Sequence, residues 1–176
     1  MGVTLELHDD TRDARLAARG DTSAFERLYL RHAGRIRTVA RRLLGEASAD
    51  DGVQEVFLRA WSRLDTFRGD AAFGTWLYRL GTNVLLRQLE RSRKHAEDDV
   101  DSMTIVVQPN SSRVDIDRAL QSLPAPLREV VVLHDMEDHT HEEISELLGI
   151  SVSACKMRLH RARTSLRAFI KESGDD

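Results

Sequence analysis

The densest run of cationic side chains in this chain lies near its C-terminus. Residues 151–171 carry Lys156, Arg158, Arg161, Arg163, Arg167 and Lys171 and no acid. Val152, Cys155, Leu159, Ala162, Leu166 and Phe169 recur there at helical spacing, which predicts one core-facing stripe. The opposite stripe is Ser153, Lys156, Met157, His160 and Thr164, flanked by Arg158 and Arg161. Donors and cations without acids suit the DNA major groove, where Lys or Arg reads guanine edges and other side chains hold phosphate. An ordinary amphipathic helix with solubilising arginines has the same spacing, so the stripe alone leaves both readings open.

Other chemistries find less material. His134, Asp135, His139, His141 and Cys155 are the candidates for metal ligation, with His139 and His141 near a helix start. They lack the three-ligand spacing of a catalytic site, and they read better as turn and cap residues; a metal-binding sensor is a remote alternative. Cys155 falls on the apolar stripe and reads as a small core residue rather than a nucleophile. As the single cysteine it excludes an intrachain disulfide and a multi-cysteine metal site. There is no Gly-rich phosphate loop and no nucleophile–base pair. No catalytic residue, no metal and no cofactor are therefore expected, and the chain is not expected to be an enzyme.

The 176 residues allow one ordinary domain or two small ones. With 41% apolar and 31% charged residues the chain reads as globular. No window approaches the roughly 18 consecutive apolar residues of a membrane span. Residues 1–12 are polar and acidic and lack the apolar core of a signal peptide, so a cytoplasmic location without membrane insertion is expected. The net charge of −3 taken as a whole is unfavourable for DNA, but its distribution is uneven. Residues 1–94 carry +4, 95–112 carry −4, 113–150 carry −6 and 151–171 carry +6. Two basic segments are thus separated by acidic ones, as in a protein that meets a polyanion with chosen surfaces only.

The elements that must position these residues are helical. All three prolines lie within 109–126, so helices before Pro109 need no break. Asp21 is placed to cap a helix over 23–44, ended by Gly45. Ser48, Ala49, Asp50 and Asp51 fit a capping box for the next helix, in which Val53, Val56, Phe57, Ala60 and Leu64 form one apolar stripe with Trp61 beside it. Asp51, Gln54, Glu55 and Ser62 take the other face. A polar turn leads to a third helix over about 72–94. Residues 95–112 have no helical period, and their acids and Pro-Asn-Ser-Ser ending mark a linker. Helices then follow over roughly 113–122, 125–137, 141–148 and 152–171, with a capping box at Thr140 to Glu143. The Gly149 turn between the last two gives a helix-turn-helix pattern. The expected fold is all-α: two small helical domains, 10–94 and 113–171, joined by a flexible acidic linker over 95–112.

Taken together, these segments resemble a known family. Asp51-Gly52-Val53-Gln54-Glu55-Val56-Phe57-Leu58-Arg59-Ala60-Trp61 resembles the polymerase-binding helix of bacterial RNA polymerase sigma factors. Phe67-Arg68-Gly69-Asp70-Ala71-Ala72-Phe73-Gly74-Thr75-Trp76-Leu77-Tyr78-Arg79 resembles the adjoining promoter-melting segment. Ser122-Leu123-Pro124 through Val130, and Glu142-Glu143-Ile144 through Arg163, resemble the domain that reads the minus-thirty-five element. Order, linker and length match the extracytoplasmic-function (ECF) subfamily, over roughly residues 10–171.

The resemblance implies a division of labour. Asp51, Gln54, Glu55 and Arg59 would dock on the clamp helices of the largest subunit of core RNA polymerase, and the C-terminal domain would meet the flap of the second subunit. Arg63, Phe67, Arg68, Asp70, Trp76, Arg79 and Asn83 would form the minus-ten surface, with Phe67 stacking on a flipped base and Asn83 reading its edge. Either Trp76 or Tyr78 is expected to be core. Ser153, Lys156, Met157, Arg158, His160 and Arg161 would read the minus-thirty-five element. The linker acids Glu97, Asp98, Asp99 and Asp101 would mimic RNA near the exit path. Polymerase would supply the catalytic magnesium, and an anti-sigma factor would hold the protein in check. The chain departs from the family pattern in two places: Arg87 stands where an Asp is usual, and in the last helix Ala154-Cys155 stands where a Thr-Val pair is usual and Met157, within reach of a thymine methyl, where a small polar residue is usual. The competing reading is a stand-alone helix-turn-helix regulator, which leaves the first two motifs unexplained.

Overall fold

Asp21 begins the first long helix by a side-chain cap, accepting from the Ala24 amide at 3.0 Å. The computed structural model describes the backbone of residues 2–98 and 116–174, and the side chains of 9–92 and 116–171. Its helices are α1 (Gly2–Ala17), α2 (Thr22–Leu44), α3 (Glu46–Trp61), α4 (Phe73–Asp98), α5 (Ile116–Gln121), α6 (Ala125–Val131), α7 (His141–Leu148) and α8 (Val152–Gly174). A 3-10 turn (Leu64–Thr66) follows α3, and a π-helical turn (Val132–Met136) extends α6. No strand occurs among the described residues, and none of their helices is long and apolar enough to cross a membrane. The chain divides into two compact units, Met1–Gln88 and Leu89–Asp176. It is all-α and built as two helical units, as the patterning predicts.

In the first unit α2 buries Leu28, Ile36, Val39, Ala40 and Leu43 against the Val53, Val56, Phe57, Ala60 and Leu64 stripe. The predicted capping box at Ser48 to Asp51 does not form. Gly45 has φ of +88°, a region L side chains disfavour, and it turns the chain so sharply that α3 starts at once with Glu46. That first turn is held by Arg37, which donates to Glu46 at 2.5 Å and to Asp50 at 2.8 Å. Gly52 marks the closest approach of α3 to its neighbours. A Cβ there would lie 2.8 Å from Leu85 and 2.9 Å from Leu44.

The N-terminal stretch, which reads only as polar and acidic, forms α1. Small Ala14 and Ala17 bury their methyls, and Asp10 and Asp13 make ion pairs to α2. α4 runs to Asp98, past the end expected near Lys94, because residues 95–98 contain no helix breaker. Asp99 and Asp101, and the side chains of Glu97 and Asp98, lie outside the described residues.

In the second unit Leu120, Leu123, Val130, Val131, Val132, Leu133, Ile144, Cys155, Leu159 and Ala162 form the core. The helix predicted over 125–137 changes to the wider π turn at Val132. This shifts the side-chain phase so that His134 stacks on His141 of α7 and Asp135 meets Arg163 of α8. The capping box at Thr140 is complete. The Thr140 amide donates to Glu143 at 2.9 Å and the Glu143 amide donates to the Thr140 hydroxyl at 3.2 Å. Gly149 ends α7 in the left-handed region, and Ser151 caps α8 through the Ala154 amide at 3.1 Å.

Candidate nucleic-acid interface

The tight turn between α7 and α8 fixes which side of α8 faces solvent. Cys155, Leu159 and Ala162 are buried, Val152, Leu166 and Phe169 are half-buried, and Ser153, Lys156, Met157, His160, Arg161 and Thr164 are exposed. Met157 is 51% accessible, a cost in water that contact with an apolar group would relieve. Arg158 is half-buried at the edge of the stripe.

Arg163 serves a different purpose from the other cations of α8. It donates to Asp135 from Nη2 at 2.5 Å and from Nε at 2.9 Å, a two-pronged clamp between the π turn and α8. The hydrogen bonds from Arg163 hold the Asp135 carboxyl below its ordinary value, against a smaller opposing effect of burial. A depressed carboxylate stabilises the fold above its unfolded value of about 3.9 and loses that contribution as pH falls through the folded value. Both partners are partly exposed, so Asp135→Asn should cost about 0.5–1 kcal/mol at neutral pH. Denaturant titrations should show the difference between wild type and variant begin to shrink as pH falls below about 4 and vanish only below the folded value of Asp135.

The residues considered for metal ligation are used locally. His134 Nδ1 lies 2.7 Å from Asp135, His139 Nδ1 lies 3.6 Å from Glu143, and His141 Nδ1 lies 3.5 Å from the Cys155 sulfur. Burial pushes the Cys155 thiol up, and burial together with His134 and Lys156 pushes His141 down, so both are neutral at pH 7. Among the described residues no three His, Cys, Asp or Glu side chains converge to hold a metal ion.

A second surface forms where the turn after α3 meets α4. Phe67 is half-buried, edge-on to the buried Phe73 at 5.4 Å and 5.7 Å from Trp76. Trp76 is half-buried, whereas Tyr78 is core and carries the Arg35 guanidinium 4.9 Å over its ring. Trp76, Arg79, Asn83 and Arg87 follow one another at i, i+3, i+7 and i+11 along α4, and the last three are exposed. The Asn83 amide donates to the Arg79 carbonyl at 2.9 Å, which orients its head group. Arg63, Arg68 and Asp70 are exposed on the preceding loop, where Gly69 takes φ of +82°. Aromatic faces beside a row of cations and amides suit single-stranded nucleic acid.

The outer face of α3 is the third surface. Asp51, Gln54 and Arg59 are exposed and Glu55 is half-buried. Sequence reasoning missed Leu58, which is 64% accessible, and the part that Trp61 plays at 38%. Both border a groove of about 770 Å³ between α2 and α3, which Phe25, Tyr29 and Phe57 also line. The signal was present: Leu58 lies four residues after Gln54, on the polar stripe rather than the core one.

These surfaces occur within matches to two family models. Residues 28–95 match Sigma-70 region 2 and residues 113–166 match Sigma-70 region 4. The RNA polymerase sigma factor NccH of Alcaligenes xylosoxydans xylosoxydans is 36% identical, over 91% of this chain and 94% of its own. The ECF RNA polymerase sigma-E factor of Escherichia coli K12 is 29% identical, over 84% of this chain and 87% of its own. Among solved structures, CnrH in complex with the cytosolic domain of CnrY is 33% identical with a TM-score of 0.58, covering 93% of this chain and 98% of CnrH. The sigma factor RpoE in complex with the anti-sigma factor NepR from Bartonella quintana is 26% identical with a TM-score of 0.61, covering 84% of this chain and 96% of RpoE. With both regions matched in order and relatives aligned over nearly their whole length, this chain belongs to the ECF family of RNA polymerase sigma factors.

Proposed function

We propose that the three surfaces divide the work of promoter-specific initiation. Residues 113–171 read the minus-thirty-five element through Ser153, Lys156, Met157, Arg158, His160 and Arg161 of α8. Residues 10–94 bind core polymerase through Asp51, Gln54, Glu55 and Arg59, with Leu58 seated in the contact, and open the minus-ten element through Arg63, Phe67, Arg68, Asp70, Trp76, Arg79 and Asn83. The stretch 95–112, whose first residues continue α4, links them, and its acids act as an RNA mimic within the polymerase. The observation that carries this reading is the exposed, acid-free stripe of α8, whose opposite side is buried in its own unit. A helix so held can enter a major groove without unfolding anything.

The chemistry of RNA synthesis belongs to the polymerase and its magnesium; the chain itself is not an enzyme and works in the cytoplasm. Core polymerase clamp helices and flap, promoter DNA and an anti-sigma factor are its partners. The last follows from RpoE, which was solved with the anti-sigma factor NepR.

Permanganate footprinting tests the reading. Thymines of the minus-ten segment should become reactive only when core polymerase and this protein are both present. Bound holoenzyme that leaves them unreactive would contradict the melting role.

A further inference from the structure

Asp10 and Asp13 are the buried charged side chains among the described residues, at 6% and 5% accessibility. Their partners lie along one side of α2. Asp13 accepts from Arg27 Nη2 at 2.6 Å and from Arg31 Nη2 at 2.5 Å. Asp10 accepts from Arg31 Nε at 2.7 Å and pairs with His32 Nε2 at 2.7 Å. With Nε2 committed to Asp10, the rest of the imidazole is turned toward the start of α4. Its ring lies 5.5 Å from that of Phe73. A Cβ on Gly74 would sit 3.2 Å from His32 Cε1, so a side chain there would press on the imidazole and shift it by a few tenths of an ångström.

Phe73 in turn touches both aromatics of the proposed melting surface, Phe67 at 5.4 Å and Trp76 at 5.5 Å. Continuous contact therefore runs from a carboxylate of α1, through one imidazole and one buried phenyl ring, to the pair assigned to a flipped base. Arg31 joins the two carboxylates, donating to both Asp10 and Asp13, whereas Arg27 pairs with Asp13 and not with Asp10, the carboxylate that holds His32.

We propose that Asp10 and His32 are positioning residues for promoter melting, the carboxylate fixing an imidazole that sets the pose of Phe67 and Trp76. This rests on the assignment of Phe67 and Trp76 to the minus-ten surface. A pocket for an unstacked base must be formed before the base arrives, because opening the duplex is already costly. Small displacements of positioning groups have large effects on rate. A carboxylate–imidazole pair fixes ring direction as well as distance, which an apolar contact between α1 and α2 would not do.

The experiment uses full-length protein in holoenzyme and compares opening on duplex promoter with opening on a promoter pre-melted at the minus-ten element. His32→Ala and Asp10→Asn should slow opening of the duplex about 10-fold, and pre-melting should shrink the defect to about twofold. His32→Gln, which keeps a donor toward Asp10, should recover most of the rate. Arg27→Gln, which loosens the same helix pair elsewhere, should open the duplex at nearly the wild-type rate. Equal defects on both templates, or an Arg27→Gln defect as large as that of His32→Ala, would overturn the proposal in favour of simple helix attachment. Trp76→Ala separates the layers. If it slows duplex opening while His32→Ala and His32→Gln do not, only the positioning role fails; if it opens duplex normally, the melting assignment fails first.

Discussion

Leu58→Asp is expected to weaken binding to core RNA polymerase by about 100-fold, in line with the roughly 2–4 kcal/mol of a buried interface hot spot. Leu58 stands on α3 between the polar Gln54 and Ser62, 64% accessible and beside the groove edged by Trp61 and Tyr29. On the proposed docking face, binding would remove this side chain from water, with Asp51, Gln54 and Arg59 around it as a polar rim. A carboxylate at its centre would be desolvated without a partner. The fold should barely notice, since exposed sites away from special features usually shift stability by no more than about 0.5 kcal/mol. Fluorescence titration with core polymerase, alongside a thermal melt, measures both. Unchanged affinity with an unchanged melt would move the docking face off α3.

Lys156→Ala and Arg161→Ala should each weaken recognition of the minus-thirty-five element by about 10- to 100-fold, corresponding to roughly 1–3 kcal/mol for a good base-edge contact. Both side chains lie on the exposed face of α8 and neither is tied into the protein as Arg163 is to Asp135. Salt dependence sorts their roles. Loss of a phosphate contact lowers the salt slope by about one and weakens all sequences alike, whereas loss of a base contact relaxes preference at one position. Affinity for core polymerase should remain within about twofold, because the substitutions add no buried charge and remove no core atom. Equal loss of DNA and core binding would contradict the division of labour between the units.

Charge distribution explains why such a protein needs its polymerase. The chain carries −3 overall although its recognition helix segment carries +6. Concentrating the cations on one helix keeps sequence-independent attraction to DNA low while preserving it where reading occurs. Arg87 adds a cation beside Asn83 on α4, exposed on the stripe assigned to the single strand.

What was legible in the sequence was whatever rested on period and caps. The α3 stripe, the apolar stripe of α8, the Asp21 cap and the Thr140 capping box all reappear as buried rows or hydrogen bonds, because spacing alone decides which side chains share a face. α1 escaped because its buried Asp10 and Asp13 pair with cations of α2, and carboxylates that face a neighbouring helix read in a sequence like solvent-exposed ones. The early start of α3 escaped because a capping motif at Ser48 competes poorly with a glycine that can reverse the chain three residues earlier. The π turn escaped because a change of pitch leaves composition untouched. Among site residues, Tyr78 and Trp76 looked alike by spacing; only packing separates the buried Tyr78 from the half-buried Trp76.

The most direct measurement is transcription from a promoter library with purified core polymerase. Adding this protein should produce discrete starts at a subset of promoters that core polymerase ignores, and the Lys156→Ala, Arg161→Ala double variant should lose those starts while still binding core. A protein that binds core yet yields no specific start across the library, or a double variant that starts at the same promoters as wild type, would contradict the account.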